Sequence, residues 1–416
     1  MTTRANAPAI TEETVRQLSQ RHNEPEWLLQ RRLDAWRAYE AMAMPNPLEE
    51  EWRRTDISQL DLQSVLIEPQ GPVGEIGLEV FPRGGASSGP QLFYGDLSEG
   101  ATSHREIVER HLHSLVKAQE WKLQALQAAL WQGAIVYVPR GLQVEAPVRH
   151  LVLSHESASF PHLLIFAEAN SSVTVVQETR PGPGHQGNAL VSGAVEIIAG
   201  ADARVRFVET QRWGNETYAF STMRAHLERG AELSASLVGL GGALSRTKLE
   251  VTLAGEGSRA ELIGLAFGND KQHFDYVTLQ DHIAPRTASD LLFKTALDDE
   301  SSAVWTGTVR IQKGASASEA NQTSRNLLLS EHAKAAPIPI LEIEAYDVLR
   351  CSHGASAGPL DEDQLFYLES RGIPPAEAQT LLVDAFFREV IDRLPEGVDR
   401  DSLDQAIAAK IGASRR

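Results

Sequence analysis

Between Asn170 and Ser316 a short turn signature returns at a nearly fixed interval. It reads Asn170-Ser171-Ser172, Gly200-Ala201-Asp202, Gly230-Ala231-Glu232, Gly257-Ser258-Arg259 and Gly314-Ala315-Ser316. Asn170 to Gly200 is 30 residues, Gly230 lies another 30 on, Gly257 another 27, and the 57 to Gly314 is close to twice that interval. Such a period marks a stacked repeat, in which each unit buries its apolar face only against its neighbours. Between the turns lie runs that alternate apolar and polar residues, among them HLLIFAE, VTVVQE, RVRFVE and KLEVTLAG. An alternation of two is the pattern of strands. Strands with small-residue corners and no long helix between them predict a β-helix, or β-solenoid. A jelly roll or sandwich would place its turns every ~8–12 residues without the longer period.

The strand pattern begins at Gly133 and ends near Gly358, which makes residues 133–358 the β-helix core. Residues 1–132 read as an N-terminal helical region with a loop segment, and 359–416 as a C-terminal helical region. In the first, Thr11 starts one helix, and a second begins near Glu24 with Pro25 at its first position. Its stripe of Trp27, Leu28, Leu33, Trp36 and Tyr39 reads as packing. Gln70–Pro90, rich in Gly, Pro and Ser, reads as loop. Ser103–Gln132 has few helix breakers and predicts one long helical region. Its His104, His111 and His113 read as surface residues, because positions 111 and 113 do not share a helix face. In the C-terminal region Asp361 caps a helix with Gly372 just past its end, and the next opens at Pro374 or Pro375. That helix carries an apolar face of Leu381, Leu382, Ala385, Phe386, Val390 and Leu394, which packs on the end of the β-helix or in a partner's groove.

Charge and cysteine content limit the function. With 39 Lys and Arg against 56 Asp and Glu, the net charge of −17 argues against nonspecific binding to nucleic acid or an anionic membrane. One cysteine forms no internal disulfide, no apolar h-region opens the chain, and no apolar run reaches membrane-spanning length. These features read as a cytoplasmic protein. No GxxxxGK[ST], dinucleotide fingerprint, GxSxG or HExxH occurs, so nothing argues for an enzyme.

The single cysteine, Cys351, lies in DVLRCSHGASAG with His353 two residues on. The preceding LEIEAYDVL alternates as a half-buried strand, and if the strand runs on, Cys351 and His353 share a face. A thiolate beside an imidazole offers two metal ligands, or a nucleophile and its base. A buried cysteine that only packs is the plainer alternative. As a four-ligand site the pair is only half complete, so the other ligands would come from another subunit. Gly354, Ala355 and Gly358 leave room for a ligand or partner to approach.

The run from Arg325 to Ile373, RNLLLSEHAKAAPIPILEIEAYDVLRCSHGASAGPLDEDQLFYLESRGI, resembles the C-terminal signature of the SufD branch of the SufB/SufD family. Glu24–Pro45 and Gly133–Val148 resemble segments that both branches share. Ser356 follows CSHGA where many relatives are expected to have Thr. The resemblance implies a right-handed parallel β-helix and a non-catalytic scaffold for iron–sulfur cluster assembly. It also implies pairing with SufB, docking of the ATPase SufC on residues 361–394, and a transient cluster at the SufB interface. His353 then matches the family position for a cluster ligand, and Cys351 the neighbouring cysteine, in a packing or secondary-ligand role. Two alternatives stand beside this reading. One is a SufB-like scaffold acting as a homodimer. The other is a β-helix polysaccharide-active enzyme using acids such as Asp298, Asp299 and Glu300, which read as solvated turn residues.

Overall fold

The computed structural model describes residues 10–60, 62, 91–154, 158–182 and 190–413. The predicted loop Gln70–Pro90 lies outside these residues. The periodic stretch forms a parallel β-solenoid in which each turn gives one strand to each of two sheets. The first sheet stacks Gln132–Val138, Pro161–Ala167, Leu190–Ala199, Tyr218–Leu227, Leu244–Leu253, His273–His282, Ser302–Ile311 and Lys334–Ile343. The second stacks Val148–Ser154, Ser172–Pro181, Arg204–Gln211, Glu232–Gly239, Arg259–Gly268, Ala288–Leu297, Glu319–Leu328 and Arg350–Pro359. An antiparallel strand, Phe93–Asp96, closes the starting edge of the first sheet on Gln132–Val138.

Register turns sequence alternation into columns. Val173, Val205, Leu233, Ala260, Ser289, Ala320 and Cys351 stand above one another in the second sheet. Val173, Val205, Leu233 and Ala260 belong to the main apolar cluster, together with Met223, Ala225 and Leu227 of the first sheet. The column therefore faces the bore between the sheets.

The corners explain the doubled interval. Gly141, Asn170, Asp202, Gly230, Gly257, Arg286 and Ala317 all have φ between +53° and +75°. Each donates its N–H to a carbonyl of the next turn, from Gly141 to Ala169 through Ala317 to Asp347, at 2.8–3.2 Å. Arg286 fills the step that seemed missing between Gly257 and Gly314. A left-handed arginine is strained by ~1–2 kcal/mol, and the bond from its N–H to the Ser316 carbonyl at 2.8 Å helps to hold it there.

Stacked turns also leave no room at some backbone positions. Gly133 is in register with His162, and a Cβ at Gly133 would stand 1.8 Å from the His162 carbonyl oxygen. Gly133→Ala is expected to lower stability by ~1–3 kcal/mol, measured as the shift in a urea unfolding midpoint at unchanged slope.

Helices cover the outer faces. Glu12–Arg21, Glu26–Ala41 and Lys122–Leu130 pack Val15, Leu18, Leu33, Trp36 and Leu126 against Phe220 and Leu244 of the first sheet. Pro25 is the residue before the second helix, one position earlier than expected. A buried ion pair, Arg32–Glu24 at 2.7 Å, ties that helix to its own entry. The expected long helix over 103–132 is broken. Leu97–Ser103 and Arg105–His111 are separated at His104, whose backbone is non-helical, and Lys122–Leu130 follows a break where Leu112 is extended and His113 has φ +57°. Its histidines do not stand free on the surface. His104 packs on Phe93 with ring centroids 4.1 Å apart, and His111 stacks on Phe166 at 4.5 Å.

On the second sheet lie Pro375–Ile391 and Arg400–Ala413. Val383, Phe387, Val390, Ile391 and Leu394 bury against Val208, Val238, Ile263, Phe267 and Leu292. The helix thus covers the flank of the solenoid rather than its end. Its buried face is turned from the one expected: Leu381 is 45% exposed, and Phe386 is only partly buried. Among the described residues no helix is long and apolar enough to cross a membrane.

Candidate functional site

The solenoid begins under a strand and helices, but its other end is open. Among the described residues no further strand pairs with the far edges of Lys334–Ile343 and Arg350–Pro359. The two edges differ. Pro337 and Pro339 lie in the first of them, and a residue without an N–H cannot extend a ladder. The second has no proline before Pro359, and Gly354 and Gly358 have open space around the position of a Cβ. An unblunted edge of small residues is a template for another strand.

Cys351 and His353 lie on this last strand, in register with Ala320 and Gln322. The expectation that one strand runs from Leu341 through Cys351 is corrected. Ile343 ends a strand of the first sheet, a corner follows, and Arg350 starts a strand of the second. Both residues still face the same way, because they lie two apart within the new strand. They are the last members of bore-facing columns, and among the described residues no further turn covers them. Cys351 is half-buried against Val309, Ile311, Ala315, Ala320 and Ala345. Burial pushes its thiol pKa up, which works against a free thiolate nucleophile. His353 is exposed. Ser352 donates to Asn321 Oδ1 at 2.8 Å, and Asn321 donates in turn to Asp290 Oδ1 at 2.8 Å, which ties the last strand to the two before it.

Sequence reasoning missed the apolar rim of this end. Tyr346 is 99% exposed, Leu349 66% and Ile343 48%. The alternation in LEIEAYDVL looked like a buried face because it carries no sign of a corner. A second apolar patch lies on the C-terminal helices. Glu362–Ser370 is capped by Asp361, which accepts from the N–H groups of Asp363 and Gln364. None of its residues is buried, and Phe366 is 72% and Tyr367 57% exposed.

Residues 150–386 match the family model described as "SUF system FeS cluster assembly, SufBD core domain". The chain belongs to the SufBD family. It is 30% identical to the iron–sulfur cluster assembly protein SufD of Bacillus subtilis, over 94% of this chain and 96% of that protein. It is 33% identical to an iron–sulfur cluster assembly SufBD family protein of Mycobacterium bovis, over 66% of this chain and 70% of that one. A SufBD family protein of Staphylococcus saprophyticus is 27% identical over 93% of this chain and 90% of its own length. The family resemblance carried by Arg325–Ile373 is thereby borne out. The SufBD match covers both open edges, the strand with Cys351 and His353, and most of the helix Pro375–Ile391. Asp298, Asp299 and Glu300 sit at a corner, where the Asp299 carboxylate accepts the Asp270 N–H at 2.9 Å.

Proposed function

We propose that this SufBD protein is a non-catalytic scaffold subunit in iron–sulfur cluster assembly. The observation that carries the reading is the unfinished end of the solenoid. There an edge strand of small residues presents His353 and Cys351 beside exposed Ile343, Tyr346 and Leu349. A SufB subunit adds its own strand to Arg350–Pro359, with backbone hydrogen bonds giving affinity and the apolar rim giving specificity. The nascent cluster forms at that junction. His353 supplies an imidazole ligand, which suits a cluster that must later leave, and SufB supplies most of the others. Cys351 packs under the strand or serves as a second ligand. Phe366 and Tyr367 on the C-terminal helices dock the SufC ATPase, whose hydrolysis alters the SufB contact. The unit divisions that serve these roles are residues 133–358 for the core and 359–416 for docking.

The test is co-purification with SufB and SufC of the same organism, with the mass read by light scattering. A species of one SufB, one copy of this chain and two SufC is expected. A homodimer that ignores both partners and assembles cluster alone would replace this reading with the SufB-like one. Tyr346→Asp combined with Leu349→Asp is expected to weaken SufB pairing by about tenfold or more, by placing charges in the apolar rim. Phe366→Asp is expected to weaken SufC capture while leaving SufB pairing intact. Titration of each partner by calorimetry separates the two effects.

A further inference from the structure

Far from the open end, three side chains from separate segments converge under the loop that breaks the expected long helix. His113 stands on that loop, His162 on the strand Pro161–Ala167 and Glu196 on the strand Leu190–Ala199. One donor atom of each lies within 4.8 Å of the other two. His162 and Glu196 are fully buried, and His162 Nε2 is 3.1 Å from Glu196 Oε2.

The hydrogen bonds show how each ring is presented. His113 Nδ1 is 3.3 Å from the Val116 carbonyl oxygen, so it carries the proton and leaves a lone pair on Nε2. That Nε2 is buried and has no partner. His162 Nδ1 is 3.2 Å from the side-chain amide of Gln127, whose Oε1 is also buried without a partner. As placed, this amide also donates to the Pro161 carbonyl at 3.3 Å; ligation through His162 Nε2 requires its half-turn, which gives up that bond and brings Oε1 to the Nδ1–H of His162.

We propose that His113, His162 and Glu196 form a buried zinc-type divalent metal site, with both imidazoles ligating through Nε2. Two imidazoles and a carboxylate are a ligand set zinc takes, with a fourth position left for water. Imidazole donors select zinc or a neighbouring transition metal over magnesium or calcium. His113 Nδ1–H is held on the Val116 carbonyl, and the turned Gln127 amide would hold that of His162, the outer-shell arrangement that orients such ligands. Of the nearby cations, Arg32 is paired with Glu24, and Arg31 is turned to the carbonyls of Leu112 and Glu109. Glu196 also accepts the N–H groups of His113, Leu115 and Val116 at 2.6, 2.7 and 3.0 Å. Metal capture therefore locks the loop onto the solenoid as the chain folds.

The test uses the full chain with Cys351→Ser and His353→Ala already in place, so that metal at the open end does not count. The protein is refolded with excess zinc or cobalt, dialysed against EDTA, and its metal content measured by mass spectrometry. About one metal ion per chain is expected, with the visible absorption of a low-symmetry site when cobalt is used. His113→Ala removes Nε2 but no backbone donor, and is expected to lose the metal while keeping the fold by circular dichroism. His113→Ala that retains the metal overturns the proposal, as does parent protein that binds none after refolding. Glu196→Gln is not the deciding variant, because it also disturbs the loop's backbone bonds.

Discussion

With His353 replaced by alanine, the chain is expected to fold and to pair with its partners, while recovery of cluster on the complex falls by about tenfold or more. The side chain is exposed at the mouth of the bore and adds nothing to the apolar core, so its removal has little effect on stability. In the proposed complex it supplies a ring nitrogen at the junction with the partner. Cys351→Ala is the informative comparison. Its side chain packs on Ile311 and Ala320, and burial raises its thiol pKa. A stability loss with most of the cluster retained is therefore expected for this variant. Anaerobic reconstitution on the complex, read by absorbance and iron content, measures both. Unchanged cluster recovery with His353→Ala would remove the imidazole from the ligand set. An equal loss with Cys351→Ala would make the pair joint ligands.

Glu209→Gln is expected to stabilise the protein by about 3 kcal/mol at pH 8 and to change little at pH 4. Glu209 faces the bore, with Gln177 as its hydrogen-bond partner at 2.9 Å. Burial raises its pKa from the usual 4.5 to about 7. Between those values the folded chain holds a proton that the unfolded chain has released. Stability therefore falls as pH rises through that window and levels off above it. Glutamine keeps the shape and the hydrogen-bonding capacity without the charge. Urea unfolding at a series of pH values reads the effect. A difference between the proteins that is the same at pH 4 and pH 8 would show that the carboxyl is not held in its protonated form.

The bore also shows why some of the molecule was legible and some was not. The strands and their stacking followed from alternation and from the corner at Gly230 and Gly257, since a glycine in a turn advertises its backbone conformation. The corner at Arg286 carried no such signal. Its left-handed φ is held by a hydrogen bond to Ser316 in the next turn, a partner thirty residues away. The break at His113 was hidden for the same reason. The helix-forming residues around it favour continuation, but Glu196, on a distant strand, takes the N–H groups of the loop instead.

By itself the sequence determined the family, the solenoid, its helical flanks and the position of Cys351 and His353 two apart on one strand. These follow from local periodicity and from one long specific run, both carried by neighbouring residues. Tertiary structure alone decided that, among the described residues, this strand is the last one with its edge open where the edge with Pro337 and Pro339 is blunted, and that the C-terminal helix covers the flank. It also brought His113, His162 and Glu196 together. Each of these depends on which turn stacks on which, and stacking is fixed by register between residues far apart in the chain.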